Sequence, residues 1–382
     1  MKVWVVGRGF PTVMNKMLGS FELEQAKMLA RAGLDVSYLT VTSPSLRRMQ
    51  HSGFSLRKED GVDIALFRLP ILYRLLTKPM RIQMRQKALK KLTGCLGKKT
   101  GNPDIIHVHY PSMVQYRAFK AFQEHGTKIV ATEHWSAVQE GTLSRDYLEN
   151  LKDFTQSSDA MCCVGSSLKT AITEATGTDR VIHIVPNVIN VLFGPGKESH
   201  EGFRFVCCGR LVPLKQYDKI VNAFLDVFGG SKDVTLTVAG NGSEFENLKT
   251  VIRTRNAEEQ VRLTGELSRQ EMADLMAESD ALVVFSEYET FCVPVIEAWA
   301  CGKPVVAADS TTVIRDNPDP RLGVMTDCHD TESLKEGLRS MYDHYSSYDP
   351  EWIRAYAETH FSEKAVSRQL INIYTELISE AR

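Results

Sequence analysis

The 382-residue sequence has no apolar run long enough to cross a bilayer, and its eight cysteines include no C-x-x-C pair. The first absence argues against a membrane-spanning helix, which needs about 20 apolar residues. The second favours cysteines that act as small buried apolar residues in a reducing cytoplasm. The start of the chain, MKVWVVGRGF, lacks the pattern of a signal peptide and is typical of a first strand.

Motifs for common cofactors are also missing. The glycines Gly7 and Gly9 do not continue into G-x-G-x-x-G because Thr12 stands at the last position, which argues against a nicotinamide-dependent oxidoreductase. His107 and His109 share one strand face but have no evident third ligand. No D-x-D pair is present. We therefore expect no metal and no cofactor.

The overall charge is close to zero but unevenly distributed. Residues 1–190 contain 26 Lys and Arg against 16 Asp and Glu, a net charge of +10, and the remaining 20 basic and 31 acidic residues give −11. Such an asymmetry predicts that the first half faces an anionic partner, a membrane or a nucleic acid. Nucleic acid is not expected, because no nucleic-acid motif accompanies the charge.

Short apolar runs alternate with segments of helical period along most of the chain. This alternation predicts parallel sheets covered by helices, and the length favours two domains. We expect an α/β fold of two Rossmann-like domains that face each other across a cleft, residues 1–190 and 200–362, with a C-terminal helix over about 363–382 joined to the first. The predicted strands are Val3–Val6, Val36–Val41, Ile105–His109, Ile129–Thr132, Met161–Val164, Val181–Val185, Phe203–Cys208, Val234–Ala239, Val261–Leu263, Ala281–Phe285 and Pro304–Ala308.

Candidate site residues follow the strands of the second half, where open α/β sheets bind ligands. Arg210 and Lys215 come after Phe203–Cys208, ahead of a helix that begins near Tyr217, and this arrangement is typical of a diphosphate site. In the next strand-end loop, the segment Gly240-Asn241-Gly242 lets the backbone approach a ligand closely. Each pattern alone has a plain structural interpretation, as solvated cations or as a tight turn.

Two glutamates stand out in SEYETFCVPVIEAWACGKPVV, residues 286–306. Glu289 lies in the predicted strand-end loop, and Glu297 lies among apolar residues of the following helix. An unpartnered buried carboxylate is costly. The hydroxyls of a ligand such as a ribose would supply the missing hydrogen bonds. The alternative is a helix-start glutamate favoured by the helix dipole, followed by a partly exposed one.

These segments together resemble the retaining, family-4 (group 1) glycosyltransferases, which have the two-Rossmann B-type fold. The likeness rests on E-x7-E at Glu289 and Glu297, on GRLVPLK (209–215) and VAGNGSE (238–244), and on the stretch 261–289. The similarity is dense over 185–310 and thinner over 1–185. An order of four motifs is far more specific than a lone E-x7-E.

The resemblance implies a role for each matching residue. Arg210 and Lys215 are expected to bind and stabilise the diphosphate of a nucleotide sugar, Glu297 the ribose, and Glu289 the transferred sugar. His134 is expected to line the sugar pocket as a catalytic residue. The other implied donor contacts are Gly209, Gly240, Asn241, Gly242, Thr290, Phe291 and Cys292, and the implied acceptor or loop residues are Gly19 and His109.

Several positions depart from the family pattern. Thr290 and Cys292 stand where glycine is common, and DSTTVIRDNPDP replaces a Gly-Gly-x-Pro-Glu loop after Ala308. A catalytically degenerate sugar-nucleotide-binding subunit and a B-fold sugar-nucleotide epimerase are therefore the alternatives. The E-x7-E with its Arg and Lys argues against the epimerase.

The first half contains a basic, apolar segment. From Ile64 to Pro103 there are ten Lys and Arg and no Asp or Glu, and apolar residues are interleaved. Such a segment suits an anionic membrane surface, although a solvated helix face is the alternative. We expect the protein to bind an anionic membrane surface through residues 68–99. We also expect a saccharide or lipid-linked saccharide acceptor. The enzyme is expected to be cytoplasmic and peripheral on the inner face of the cell membrane. The expected pathway is cell-surface polysaccharide or glycolipid synthesis.

Overall fold

The computed structural model describes residues 1–11, 18–43, 52–196 and 200–380. The chain forms two compact units. The first unit contains Met1–Val185 and Ser367–Arg382, and the second contains Pro186–Val366.

The first unit is built on an eight-stranded sheet of order β3-β4-β2-β1-β5-β6-β7-β8. All neighbouring strands are parallel except the antiparallel pair β3 and β4. β1 lies centrally, and its Val3–Val6 are buried, as is usual for parallel strands covered on both faces. The strands are β1 Lys2–Val6, β2 Asp35–Thr42, β3 Gly53–Glu59, β4 Val62–Arg68, β5 Ile105–His109, β6 Lys128–Glu133, β7 Ala160–Cys163 and β8 Ile182–Ile184.

Helices connect these strands. The longest, α2, buries Leu89, Leu92 and Leu96 on one face, while most of its lysines stay at the surface. The helices are α1 Ser20–Arg31, α2 Lys78–Thr100, α3 Lys120–Glu124, α4 Ser136–Gln139, α5 Arg145–Ser157 and α6 Ser166–Thr176.

The second unit is built on a six-stranded parallel sheet of order β11-β10-β9-β12-β13-β14. Its apolar core packs aromatic residues of β9 against α7, including Phe205 against Phe224. The strands are β9 Phe203–Cys208, β10 Val234–Ala239, β11 Val261–Gly265, β12 Ala281–Val284, β13 Val305–Ala308 and β14 Gly323–Thr326. The helices are α7 Tyr217–Phe228, α8 Phe245–Thr254, α9 Arg269–Ala277, α10 Val293–Ala300, α11 Thr312–Arg315, α12 Thr331–Asp343 and α13 Pro350–Phe361. The last helix, α14, spans Glu363–Ser379, so most of it belongs to the first unit.

Every predicted strand is present, with ends that differ by at most two residues. Three strands were not predicted, namely β3, β4 and β14. β3 and β4 form a hairpin whose turn, Asp60-Gly61, has φ of 48° and 82° at its two residues. This is the left-handed geometry that favours Asp-Gly in two-residue hairpin turns.

Candidate functional site

Glu289 lies in the loop that follows β12, in contact with a lysine that follows β9. Nζ of Lys215 contacts Oε1 of Glu289, and Ser286 Oγ donates a hydrogen bond to the same oxygen at 2.9 Å. The exposed fraction is 20% for the Lys215 side chain and 12% for that of Glu289. Because β9 and β12 are neighbours, their carboxyl ends bring together a cation and a carboxylate that are 74 residues apart in sequence.

The loop after β13 supports the backbone around Glu289. Thr312 Oγ1 donates to the Glu289 carbonyl at 2.6 Å, and Ser310 Oγ donates to the Ser286 carbonyl at 2.6 Å. The Glu289 N–H in turn donates to the Ser310 carbonyl at 3.3 Å. This is the segment in which the sequence lacks Gly-Gly-x-Pro-Glu. Its replacement holds the Glu289 loop through these three hydrogen bonds and a fourth, which the Val313 N–H donates to the Phe291 carbonyl at 3.2 Å.

The start of α10 presents unused backbone donors. The N–H groups of Thr290, Phe291 and Cys292 have no acceptor among the described residues. Cys292 precedes the helix with φ 83° and ψ 78°, and Pro294 occupies the first turn. A left-handed non-glycine residue costs about 1–3 kcal/mol, and such strain persists where a surrounding structure imposes it. Free N–H groups at a helix start favour an anion.

Glu297 is buried inside α10, with 2% of its surface exposed. Nη1 of Arg269 donates to Oε1 of Glu297 at 2.9 Å. Burial raises the pKa of Glu297 to about 7, against the opposing effect of Arg269. Arg269 is the first residue of α9, and Ser268 and Glu271 form a capping box at the start of that helix. The Arg269 guanidinium lies 5.8 Å from the centroid of the Phe193 ring. This cation was not predicted from the sequence, although the Ser-x-x-Glu capping box marks a helix start at a strand's carboxyl end.

Two glycine loops of the second unit pack closely against each other. Gly209 and Gly240 have φ of 144° and 145°, and a Cβ on Gly240 would lie 1.8 Å from the Gly209 carbonyl oxygen. A Cβ on Gly242 would lie 2.2 Å from the Leu211 carbonyl oxygen. The Asn241 side chain accepts a hydrogen bond from the Gly242 N–H at 2.8 Å. Arg210 is exposed in the same loop region.

The first unit stacks three histidines at the ends of β5 and β6. Nδ1 of His109 lies 2.9 Å from Nε2 of His134, and the His107 and His109 rings stack at 4.5 Å. His107 bonds the hydroxyls of Tyr374 in α14 and Thr132, each at 2.6 Å. Burial lowers the pKa of His107 and of His134 to about 3, and that of His109 well below its usual range. His109 Nε2 is buried without a partner among the described residues.

Glu133 anchors the turn that carries His134. It is fully buried and accepts hydrogen bonds from the N–H groups of His134 at 2.9 Å, Trp135 at 3.0 Å and Ser112 at 3.3 Å. Burial raises the pKa of Glu133, and those hydrogen bonds oppose the rise.

Gly19 directly precedes α1 with φ 75°, and a Cβ there would lie 2.2 Å from the Gly9 carbonyl oxygen. The close approach requires glycine.

In the described part of the chain, one group has the side-chain types and spacing of metal ligands. It consists of Asp309, Asp327 and Cys328, whose donor atoms lie within 4.8 Å of one another. It contains none of the predicted site residues.

The basic segment combines α2 with a preceding apolar turn. Leu72 and Leu75 lie in the 3-10 helix Ile71–Leu75 and are 65% and 80% exposed. Met80 in the first turn of α2 is 50% exposed. Over the ranges that the structure describes, no helix is long and apolar enough to span a membrane.

The fold of the chain indicates its class of protein. The chain is similar to the structure of Anabaena Alr3699/HepE in complex with UDP, with a TM-score of 0.71, 17% identity and coverage of 98% of this chain and 99% of that one. This likeness, with two parallel-sheet α/β units, establishes the B-type glycosyltransferase fold.

The family follows from the sequence. The family model described as "Glycosyl transferases group 1" matches residues 191–357, and that described as "Glycosyltransferase Family 4" matches residues 21–191. The chain belongs to the group 1 glycosyltransferases, which confirms the resemblance drawn from the motifs.

Curated relatives differ in how much of their length is matched. An exopolysaccharide phosphotransferase of Streptomyces coelicolor is 29% identical over 51% of this chain and 21% of its own length. A glycogen synthase of Mycobacterium tuberculosis is 25% identical over 90% of this chain and 86% of its own length. The chain thus spans about a fifth of the first relative and most of the second.

Proposed function

We propose that the protein is a retaining, metal-independent glycosyltransferase that transfers a sugar from a nucleotide-diphosphate sugar to a saccharide or lipid-linked saccharide. The observation that carries the proposal is the contact of Lys215 with Glu289 beside the free N–H groups of residues 290–292. This arrangement offers a cation, a helix start and a carboxylate at the carboxyl ends of adjacent strands. The UDP in the HepE structure and the polysaccharide-related names of the relatives support this class of substrate.

In the proposed reaction, the bond between the anomeric carbon and the diphosphate oxygen breaks as the acceptor oxygen bonds the same carbon on the same face. The acceptor proton passes to the departing phosphate, so no protein nucleophile is assigned. Lys215, Arg210 and the N–H groups at the start of α10 stabilise the negative charge on the leaving diphosphate. Glu289 holds the transferred sugar. His134 lines the sugar pocket.

Glu297 is proposed to hold the ribose. Its carboxylate now bonds Arg269, which lessens the cost of burying it without a ligand. Two ribose hydroxyls would donate to the same carboxylate. The ribose would therefore share this acceptor with Arg269 or replace it.

Donor binding is tested by thermal unfolding of the parent, Glu297→Gln and Arg210→Gln proteins with UDP- and GDP-sugars. A ligand at 100 times its Kd stabilises the folded state by about 2.7 kcal/mol. We expect one base to raise Tm in the parent and much less in either variant. Glu246→Gln and Arg253→Gln, both exposed on α8, are matched controls and should keep the full rise. No rise with any nucleotide in the parent would contradict the proposed donor site, whereas a rise without turnover on any acceptor would favour the degenerate subunit.

The proposal includes a peripheral membrane enzyme in cell-surface polysaccharide or glycolipid synthesis. Exposed Leu72 and Leu75 lie within the segment that has ten basic residues and no acidic ones, so we expect apolar insertion and attraction to anionic lipid to act together. A cytoplasmic location on the inner face of the cell membrane agrees with that charge.

Vesicle co-sedimentation tests this surface. We expect the protein to bind anionic vesicles more than neutral ones, with binding weakened by salt because the attraction is screened. The variant Leu72→Ser/Leu75→Ser should bind several-fold less. Met325→Ser removes a comparably exposed apolar side chain, 54% exposed, from the second unit and should bind like the parent. Equal binding to neutral and anionic vesicles would contradict the proposal.

A further inference from the structure

Arg8 is a cation at a strand end of the first unit that the proposed reaction does not use. It follows β1, as Tyr110 follows β5 and His134 follows β6. These three parallel strands are neighbours in the order β1-β5-β6. A guanidinium, a phenol and an imidazole therefore share the carboxyl edge of the sheet, where ligands bind in open α/β folds.

The three side chains form a stack. Cζ of Arg8 lies 4.2 Å from the centroid of the Tyr110 ring, and that ring lies 5.1 Å from the His134 ring. Tyr110 has φ 54° and ψ 57°, and its N–H donates to the Thr132 carbonyl at 3.0 Å. A left-handed tyrosine costs about 1–3 kcal/mol and is typical of functional sites. The strained backbone places the ring under Arg8, which orients the guanidinium in advance.

Over the ranges that the structure describes, one side of the guanidinium has no acceptor. Nε of Arg8 lies 3.3 Å from Oε1 of the buried Glu22, whereas the terminal amino groups have no acceptor among the described residues. The Arg8 side chain is 27% exposed. Two adjacent amino groups on a planar fork match the two oxygens of a phosphate or carboxylate.

The imidazole beside Arg8 is uncharged. Burial, and secondarily the charge of Arg8, lowers the pKa of His134 to about 3, so the imidazole is neutral at physiological pH. It can form a hydrogen bond without adding charge. Glu22 forms an ion pair with the guanidinium and accepts a hydrogen bond from the Arg8 backbone N–H at 3.5 Å, and both contacts steady Arg8.

We propose that Arg8, stacked on Tyr110 beside His134, binds an oxyanion, a phosphate or carboxylate, carried by the acceptor. That the oxyanion belongs to an acceptor rests on the proposed function, whereas oxyanion binding by Arg8 does not. The same chemistry occurs in the diphosphate of the donor, so the experiment has to separate the two sources.

The probe is inorganic phosphate, titrated at constant ionic strength into the full-length Lys215→Ala protein, which lacks a cation proposed to bind the donor. We expect Tm to rise with phosphate concentration. When Arg8→Gln is combined with Lys215→Ala, the rise in Tm should fall to a third or less. Arg8→Lys in the same background should retain part of the rise. Arg57→Gln is the matched control, because Arg57 is a partly exposed arginine of the same unit that lies over an aromatic ring, Phe10.

Two outcomes overturn the proposal. An equal rise with and without Arg8→Gln would show that Arg8 binds no oxyanion. If Arg8→Gln misfolds because Glu22 is left unpaired, the double variant Arg8→Gln/Glu22→Gln removes both charges and serves the same comparison.

In a second arm, the nucleotide that stabilises the parent is added to the parent at saturation. Loss of the Arg8-dependent rise there would assign Arg8 to the donor diphosphate, and persistence supports the acceptor. If no nucleotide binds, the proposed donor function fails while the phosphate result still stands.

Discussion

Replacing Lys215 by alanine is expected to lower kcat for release of the nucleoside diphosphate by about 100- to 1,000-fold, the usual cost of removing one donor to a developing anion. Lys215 contacts Glu289 and has 20% of its side chain exposed, so its charge acts in a largely desolvated place. The proposed contact between Lys215 and the diphosphate strengthens as the diphosphate departs. The loss of activity should therefore appear mainly in kcat. The assay follows nucleotide release from the sugar nucleotide that raises Tm.

The comparison for Lys215→Ala is Lys249→Ala, which removes an exposed lysine of α8. That variant should keep activity within a factor of two. Thermal unfolding of Lys215→Ala separates lost chemistry from lost stability, because Glu289 keeps its hydrogen bond from Ser286. A kcat for Lys215→Ala within fivefold of the parent would remove Lys215 from the stabilisation of the leaving group.

Acid is expected to unfold the first unit through its buried histidines. The pKa values of His107 and His134 are about 3 in the folded chain, and that of His109 is well below its usual 6.5. The unfolded chain thus binds up to three more protons. Stability is lost as pH falls from about 6.5 towards 3, at up to about 4 kcal/mol per pH unit for three protons.

Buried carboxylates act in the opposite direction. Burial raises the pKa of Glu22 and Glu133 in the same unit, so each favours the folded state at low pH and loses that contribution as pH rises through the folded pKa. Once the unfolded carboxylates are themselves protonated, below about pH 4.5, the histidine effect dominates. The steepest loss is therefore expected between about pH 4.5 and pH 4.

The pH dependence of urea unfolding from pH 7.5 to 4 measures this effect. His109→Gln should reduce the slope by about one proton, whatever its stability at neutral pH. His125→Gln changes an exposed histidine and should leave the slope unaltered. If the His109→Gln and parent slopes coincide, the buried stack does not control acid stability.

The donor-side motifs were predictable because each lies directly after a strand of clear apolar pattern. Glu289, Lys215 and the glycine loops all occupy strand ends, and strand order alone brings Lys215 to Glu289. Arg269 was not predicted as the partner of Glu297, because the two are 28 positions apart in sequence and follow different strands. The loop after β13 departs from the family pattern, and only the structure shows that Ser310 and Thr312 support Glu289.

The first unit was less predictable for a physical reason. The hairpin of β3 and β4 is rich in charged residues, so its alternation is obscured, although Asp60-Gly61 is a turn signal in the sequence. Arg8 and Tyr110 belong to no motif. Their stacking depends on the pairing of β1 with β5 and on the left-handed backbone at Tyr110.

Because Ser367–Arg382 return to the first unit, the second unit is an insertion between two parts of one folding unit. During synthesis, Pro186–Val366 leaves the ribosome before α14 is complete, so the second unit has its whole sequence available first. The second unit can therefore complete its fold before the first, unlike domains that fold in the usual N-terminal-first order. Until Tyr374 emerges, His107 Nδ1 lacks its hydroxyl partner. The core of the nascent first unit therefore contains an unpaired imidazole nitrogen until α14 packs against it.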